Sequence, residues 1–351
     1  MSDAVNFDAV CPLPQSADAE RITLAYGEGG RLSRSFVQEW ILTRFQNSTL
    51  RSLGDSAALQ TSGQLAFTTD SFTVTPLFFP GGDIGKLVVC GTVNDLAVSG
   101  ARPRWMSLAL IIEEGLQWDT LRRVLDSIQS IADSADIAVV TGDTKVVPRG
   151  CVDQLFITAS GLGELLELAP QGPARLQTGD AILVSGPMGQ HGAAVLCARD
   201  DLGFEPTPRS DCACLDAPLL ALQRQGLQAR AIRDATRGGV AAVLHEWCQA
   251  SGLAIDLEDE KLPVSPEVRV VCELLGLDPL FLACEGAFVA AVPEALLDPV
   301  LQVLRQYAVS QSATVIGRVV ASRSTAVCVR RAAGHLVPLD EPAGSPLPRI
   351  C

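Results

Sequence analysis

The chain has 351 residues, 48% hydrophobic and 19% charged, with 11 cysteines and a formal net charge of −13. That length allows about two domains with packed cores. The negative balance excludes non-specific nucleic-acid binding, which needs basic surfaces against phosphates, but leaves room for a nucleotide held through a metal. No apolar run approaches the roughly 20 residues of a membrane span. The start of the chain, with Asp3 and Asp8, lacks the basic region of a secretory signal, so a cytoplasmic protein with no membrane partner is expected.

In chain order, residues 1–20 read as an irregular lead-in and 22–26 as a short strand, followed by the glycine-rich Gly27-Glu28-Gly29-Gly30. A helical pattern from about Leu32 to Phe45 places Phe36, Trp40 and Phe45 on a buried face. Strands are expected at 65–69, 104–113, 138–141 and 155–162, and helices at 85–99 and 118–135. The Pro and Gly cluster at 169–173 is linker chemistry and marks a domain boundary. Beyond it, strands are expected at 181–185, 287–292 and 313–320, and helices at 191–198, 217–225, 239–251 and 293–307. The last stretch carries Pro342, Gly344, Pro346 and Pro348, which suit neither a helix nor a central strand. The resulting division is 1–50, an N-terminal segment with the Gly-rich loop; 51–168, a first domain; 174–338, a second α/β domain; and 339–351, an extended, mobile tail.

An odd cysteine count leaves at least one thiol without a partner in the chain. A chain this long needs no disulfide staples, and most of its cysteines read as small hydrophobes. Cys212-Ala213-Cys214 is the one tight pair, and with three His in the chain and none nearby a four-ligand zinc site is not expected there. Cys351 differs by position: it is the last residue, on a proline-rich tail where it does no packing work. With no residues after it, it is not a prenylation box. A thiol on a mobile arm suits a carrier or a self-modifying enzyme; an incidental terminal residue is the blander reading.

Four acidic motifs in the first half place Asp55, Asp70, Asp95 and Asp143 beside Gly, Ser, Thr or Asn, with Asp83 as a fifth. Carboxylates from separate loops suit Mg²⁺, whose shell substrate phosphates complete; turn and N-cap chemistry selects the same residues. Lys86 follows a Gly-rich turn at a helix start, where phosphate can bind or where a solvated cation can sit. In Asp234-Ala235-Thr236-Arg237-Gly238-Gly239 a helix N-terminus and two glycines can receive an anion, unless Asp234 or Thr236 simply caps the helix.

These residues resemble a known family. The motifs around Gly29 and Gly30, Asp55, Asp70, Asp83 to Lys86, Asn94-Asp95, Asp143-Thr144-Lys145, Asp234 to Gly239 and Glu285 are similar to those of the superfamily of aminoimidazole ribonucleotide synthetase, selenophosphate synthetase and thiamine-monophosphate kinase. The ending Pro348-Arg349-Ile350-Cys351 resembles, within it, the HypE family of hydrogenase maturation proteins, the carbamoyl dehydratases. The resemblance covers nearly the whole chain after the first ~20 residues. It implies an α/β (α+β) fold of two domains, the first forming a β-barrel-like core in a homodimer, with ATP bound near that interface. It also implies a reaction: HypF places a carbamoyl group on Cys351, ATP drives its dehydration to a thiocyanate, and the cyanide passes to iron on the HypC–HypD complex during [NiFe]-hydrogenase assembly. Asp55, Asp70, Asp95 and Asp143 are then the Mg²⁺ ligands. Gly29, Gly30, Asp83, Lys86, Asn94, Thr144, Asp234, Thr236, Arg237, Gly238 and Gly239 contact ATP, and Lys145 and Glu285 are candidates for removing protons from the thiocarboxamide. Two positions depart from the family pattern: Tyr26 stands where His is usual before the Gly-rich loop, and Cys284 replaces Asn before Glu285. The alternatives are another ATP-dependent enzyme of the superfamily, which would not need Cys351, and a non-catalytic carbamoyl carrier, which would not need the Mg²⁺ ligands.

Overall fold

The computed structural model describes residues 20–27, 30–54, 56–61, 63–200 and 202–342. The first part comprises a 3-10 turn (Leu24–Tyr26), α1 (Gly30–Phe36) running into a π-turn (Val37–Ile41), α2 (Ser48–Arg51), β1 (Leu65–Phe72), the hairpin β2 (Phe78–Phe79) and β3 (Gly82–Asp83), α3 (Ile84–Val98), β4 (Ala101–Glu113), α4 (Trp118–Ser134), β5 (Ala138–Val147) and β6 (Leu155–Leu165). The second comprises β7 (Ala181–Val184), α5 (Gln190–Asp200), α6 (Asp216–Arg224), β8 (Ala231–Asp234), α7 (Gly239–Ser251), β9 (Ala254–Glu258), α8 (Pro266–Leu275), β10 (Phe288–Val292), α9 (Leu297–Leu304), β11 (Thr314–Val320), β12 (Val327–Arg330) and β13 (Leu336–Pro338).

The first sheet runs β1-β6-β4-β5, with β4 and β5 parallel across the α4 crossover. Its inner face alternates along β4 and β6 and is covered by α3 and α4. Helix α4 offers Leu121, Val124, Leu125, Ile128 and Ala132 at the spacing of one helical stripe. Helix α3 is buried on nearly every side. One face lies on the sheet, where a Cβ on Gly91 would stand 2.9 Å from the Phe72 ring. The other shares a core with the second domain, where Ala97 and Val98 join Leu215, Leu219 and Leu222. The outer face of the sheet carries no element of the chain among the described residues, and Leu65 and Phe67 stand 42% and 68% exposed on it.

The second sheet is mixed, ordered β13-β12-β9-β11-β7-β10-β8. β7 and β10 are buried at every position, as continuous apolar runs covered on both faces should be. Helix α7 packs one face; α6 and α9 pack the other.

Several expectations change. The strand expected at 22–26 is a 3-10 turn, because Gly27 must lie flat on β5, where a Cβ would come within 2.5 Å of the Val146 nitrogen. The helix expected at 32–45 shifts to α1 and the π-turn, fixed by the stacking of Trp40 on Trp118 at 4.6 Å. The helix expected at 293–307 is shorter, a 3-10 turn followed by α9. β8, β9, α8, β12 and β13 had no sequence expectation. The first sheet is open at β1 and β5 among the described residues, so no barrel closes within one chain. Gly29, Asp55, the tail 343–351 and its Cys351 lie outside the described residues.

Candidate functional site

Carboxylates from both domains meet at the junction. Asp70 on β1 faces α3, and Asp95 on α3 accepts a 2.6 Å hydrogen bond from the Thr68 hydroxyl. From the second domain, Asp234 ends β8 at 7% exposure and Glu285, in the turn before β10, is 3% exposed. Burial pushes Asp234 up to about 7, and the charges of Asp95 and then Asp70 add to the rise against the pull of Arg233. Burial likewise holds Glu285 well above the carboxylate range, with Cys212, Asp234, Asp211 and Asp70 adding to it. Asp95 is raised by burial and by Asp70, with the Thr68 bond and Arg233 opposing. These groups therefore sense one another with too little positive charge between them. Among the described residues Asp70 pairs with Arg237, at 3.6 Å and largely exposed.

The glycine turn before α7 closes this junction on one side. Gly238 and Gly239 both take left-handed φ, of 77° and 60°. A Cβ on Gly239 would sit 2.5 Å from the Leu280 carbonyl, so the turn requires glycine there. Among the described residues no side chain caps α7: neither Asp234 nor Thr236 takes that role, and the Thr236 carbonyl instead accepts from Gly239 N at 2.9 Å. The end of the described chain arrives at the same turn. After β13, the Leu339 carbonyl accepts from His245 at 3.1 Å, and Pro342 reaches a point 3.6 Å from where a Cβ on Gly238 would stand.

Other residues singled out in the sequence are committed to structure. Asp83 caps α3, accepting from Gly85 N at 2.7 Å and Lys86 N at 3.1 Å, and the Lys86 ammonium turns back to the Gly81 carbonyl at 3.1 Å. Asn94 is buried and uses its whole amide across the domain junction. Its NH2 donates to the carbonyls of Ala213 (3.1 Å) and Glu285 (3.2 Å), and its oxygen accepts from Leu215 N (2.8 Å). Tyr26 packs edge-on against Trp118 at 5.0 Å, and the Cys284 thiol lies within the core, accepting from Gly189 N at 3.1 Å.

Asp143, Thr144 and Lys145 stand elsewhere. They line a cavity of about 620 Å³ between β5 and the N-terminal segment, with Gly27, Ser33 and Leu53. Asp143 pairs with Ala109 and shares the outer face of the sheet, whereas Asp70 pairs with Ala159 on the inner face at the opposite edge. Three strand spacings, about 14 Å, separate β5 from β1. One chain thus brings Asp70, Asp95, Asp234 and Glu285 together, and Asp143 with Lys145, but does not join the two groups. Among the described residues no three His, Cys, Asp or Glu side chains stand close enough to hold a metal ion unaided. Mg²⁺ nevertheless fits the first group, since hard, mutually repelling carboxylates suit it and phosphate and water complete its shell.

Two features draw on residues far apart in the sequence, and only the Cys212–Cys214 pair among them had a local signal. Asp211 accepts from the amides of Glu285 (3.2 Å) and Gly286 (3.1 Å), donors more than 70 residues away. Cys90, Cys212 and Cys214 form a thiol cluster, with the Cys214 and Cys90 sulfurs at 3.6 Å. Their hydrogen bonds and burial hold the Cys90 thiol well above its usual range.

Residues 54–165 match the family described as AIR synthase related protein, N-terminal domain, and residues 177–330 match its C-terminal domain. The carbamoyl dehydratase HypE of Escherichia coli is 46% identical over 338 residues, covering 94% of this chain and 99% of that protein. That of Rhodobacter capsulatus is 44% identical over 335 residues, covering 95% and 98%. The chain belongs to the HypE carbamoyl dehydratase family. Among solved structures, a HypE in complex with ATP superposes with a TM-score of 0.88 at 42% identity, covering 94% of this chain and 99% of that one. The HypE chain of a HypE–HypF complex superposes with a TM-score of 0.76 at 40% identity, covering 88% and 100%. In this chain the HypE fold carries the acidic junction, the start of α7 without a side-chain cap among the described residues and the open outer sheet face.

Proposed function

We propose that this chain is an ATP-dependent carbamoyl dehydratase that converts a carbamoyl group on Cys351 into a thiocyanate, for delivery as cyanide to the iron of a [NiFe]-hydrogenase. The observation that carries the reading is the seat of Pro342. Pro342 sits on the glycine turn beside the acidic junction, and Cys351 lies nine residues further along the chain. Nine residues span at most about 30 Å, ample for the thiol to reach Asp234 and Glu285. A relative solved with ATP and another solved with HypF support the nucleotide and the carbamoyl donor.

An amide oxygen is a poor leaving group. In the proposed reaction the carbamoyl oxygen takes the γ-phosphoryl group from ATP, releasing ADP. The C–O bond then breaks with phosphate leaving, the nitrogen loses both protons, and S–C≡N remains. Such transfer depends on positioning and charge neutralisation. Asp70 and Asp95, with Asp55 and Asp143 as further candidates, would hold Mg²⁺, which would supply charge neutralisation for the phosphates. The uncapped amides of α7, with Arg237, Gly238 and Gly239, present donors to phosphate. Glu285, whose burial raises its affinity for a proton, suits the uptake of a proton from nitrogen when it is ionised; Lys145 is the second candidate.

Because Asp143 and Lys145 share the outer sheet face, the working unit is proposed to be a homodimer joined through that face. A second copy there would cover Leu65 and Phe67 and bring another chain against Asp143 and Lys145. Residence in the cytoplasm and transfer to HypC–HypD complete the reading; no helix among the described residues is long and apolar enough to cross a membrane.

Intact mass spectrometry of the C-terminal peptide tests it. With HypF, carbamoyl phosphate and ATP, Cys351 should gain a carbamoyl mass and then lose water, while Cys351→Ala binds ATP and never carries the group. An unmodified Cys351 would sink the reading.

A further inference from the structure

The segment 210–215 lies between the two domains and is tied to both. Ser210 N donates to the Pro80 carbonyl at 2.8 Å, and Gly81 leaves no room for a side chain against it, since a Cβ there would come within 2.6 Å of Ser210 O. That end holds the β2–β3 hairpin, which leads into α3. At the other end Asn94 of α3 receives Leu215 N, and the Leu215 side chain is fully buried. Asp211 stands in the middle. Its two oxygens take the successive amides of Glu285 and Gly286 separately, Oδ1 at 3.2 Å and Oδ2 at 3.1 Å. The carboxylate also accepts from the backbone of His191 in the first turn of α5. The Glu285 carbonyl is gripped from the opposite side by Asn94 (3.2 Å) and Ala213 N (3.3 Å). Gly286 is needed for the fit: a Cβ would lie 1.8 Å from the Asp211 carbonyl oxygen.

Glu285 thus has its own N–H, its own C=O and the next N–H all held by groups of this segment and of α3. We propose that Asp211 is a positioning residue for the dehydration: by clasping the Glu285–Gly286 peptide it fixes the Glu285 carboxyl beside Asp234 of the second domain and toward Asp70 of the first. The inference rests on the dehydratase reading for the meaning of Glu285, but the clasp itself does not. Asn at 211 keeps one acceptor oxygen and loses the other, so one of the two amides is released.

The test uses the full chain carbamoylated on Cys351 by HypF, with single-turnover loss of water followed by intact mass at saturating ATP. Asp211→Asn should slow that step by about 10- to 100-fold, as small misplacements of reacting groups do. ATP affinity should stay within about threefold, because phosphate contacts lie on other elements. Hydrogen exchange of the 285–286 amides should rise in the same variant, and Asp211→Ala should exceed it in both readouts. A wild-type dehydration rate in Asp211→Asn, unchanged amide protection, or a loss of ATP affinity equal to the loss of rate overturns the proposal. A wild-type protein that never loses water refutes the dehydratase reading instead, and the clasp then stands or falls on amide exchange alone.

Discussion

Asp234→Asn should make the metal-free protein more stable at alkaline pH and leave it unchanged in acid. Asp234 is 7% exposed and its carboxyl is pushed from 3.8 to about 7, by burial first and by Asp95 and Asp70 next. A folded-state value above the unfolded one means the folded chain binds this proton more tightly. That contribution is complete below about pH 4 and is lost as pH rises through 7. A rise of about three pH units corresponds to about 4 kcal/mol lost by the wild type across that window. Asparagine fills nearly the same volume without titrating. The variant should therefore match the wild type below about pH 4, exceed it by about 1.5 kcal/mol at pH 5 and exceed it by about 4 kcal/mol at pH 8. At about 2–4 °C per kcal/mol for a domain of 150–250 residues, the gain in Tm at pH 8 is at least about 8 °C, read by thermal unfolding in EDTA at pH 5 and pH 8. The same substitution should abolish dehydration, because the surplus charge is what a Mg–nucleotide complex would meet. An equal change in Tm at pH 5 and pH 8, or a variant less stable at pH 8, would refute the assignment of uncompensated charge to this junction.

Asp143→Asn should accept a carbamoyl group on Cys351 but lose water about 10- to 100-fold more slowly, the range for a disturbed metal site; normal turnover in the mass assay removes Asp143 from it. Phe67→Lys, at a side chain 68% exposed on the outer sheet face, should yield a monomer by light scattering with thermal stability within about 0.5 kcal/mol of the wild type. A dimer that survives the charge places the interface elsewhere.

Periodicity made much of the first domain legible. α3 and α4 differ from expectation by a residue at their ends, and β4 and β6 by up to three, because long runs of one pattern outweigh local noise. β5 was expected to stop at 141 but continues to Val147. Asp143 and Lys145 read locally as loop chemistry, yet their backbones pair with Ala109 and Ile111. β8, β12 and β13 have four residues or fewer, too short for a pattern to declare itself. At the site, motif chemistry pointed to Asp70, Asp95, Asp234 and Glu285 but could not separate them from Asp143, because which face of a sheet a residue joins is set by register with strands far away in the chain. Asp83 and Asn94 show the converse. Their motifs are equally strong, yet one caps a helix and the other clamps two domains. Asp211 was invisible because every one of its donors beyond its own residue is distant in sequence.

The placement of the acids explains why the site is built between domains. Each half alone would hold its carboxylates at a surface, where water screens them. Packing α3 against the second domain strips that water and sets Asp95 near Asp234, at a cost in stability that no side chain among the described residues offsets fully. Natural cores avoid uncompensated charge unless a ligand completes it. A cation and phosphate entering here would draw the raised carboxyls back toward ionisation, and their binding energy would then also hold the two domains together. Nucleotide binding should accordingly stabilise the protein more at pH 8 than at pH 5, since only at the higher pH is there ionised, unpaired charge for the cation to neutralise.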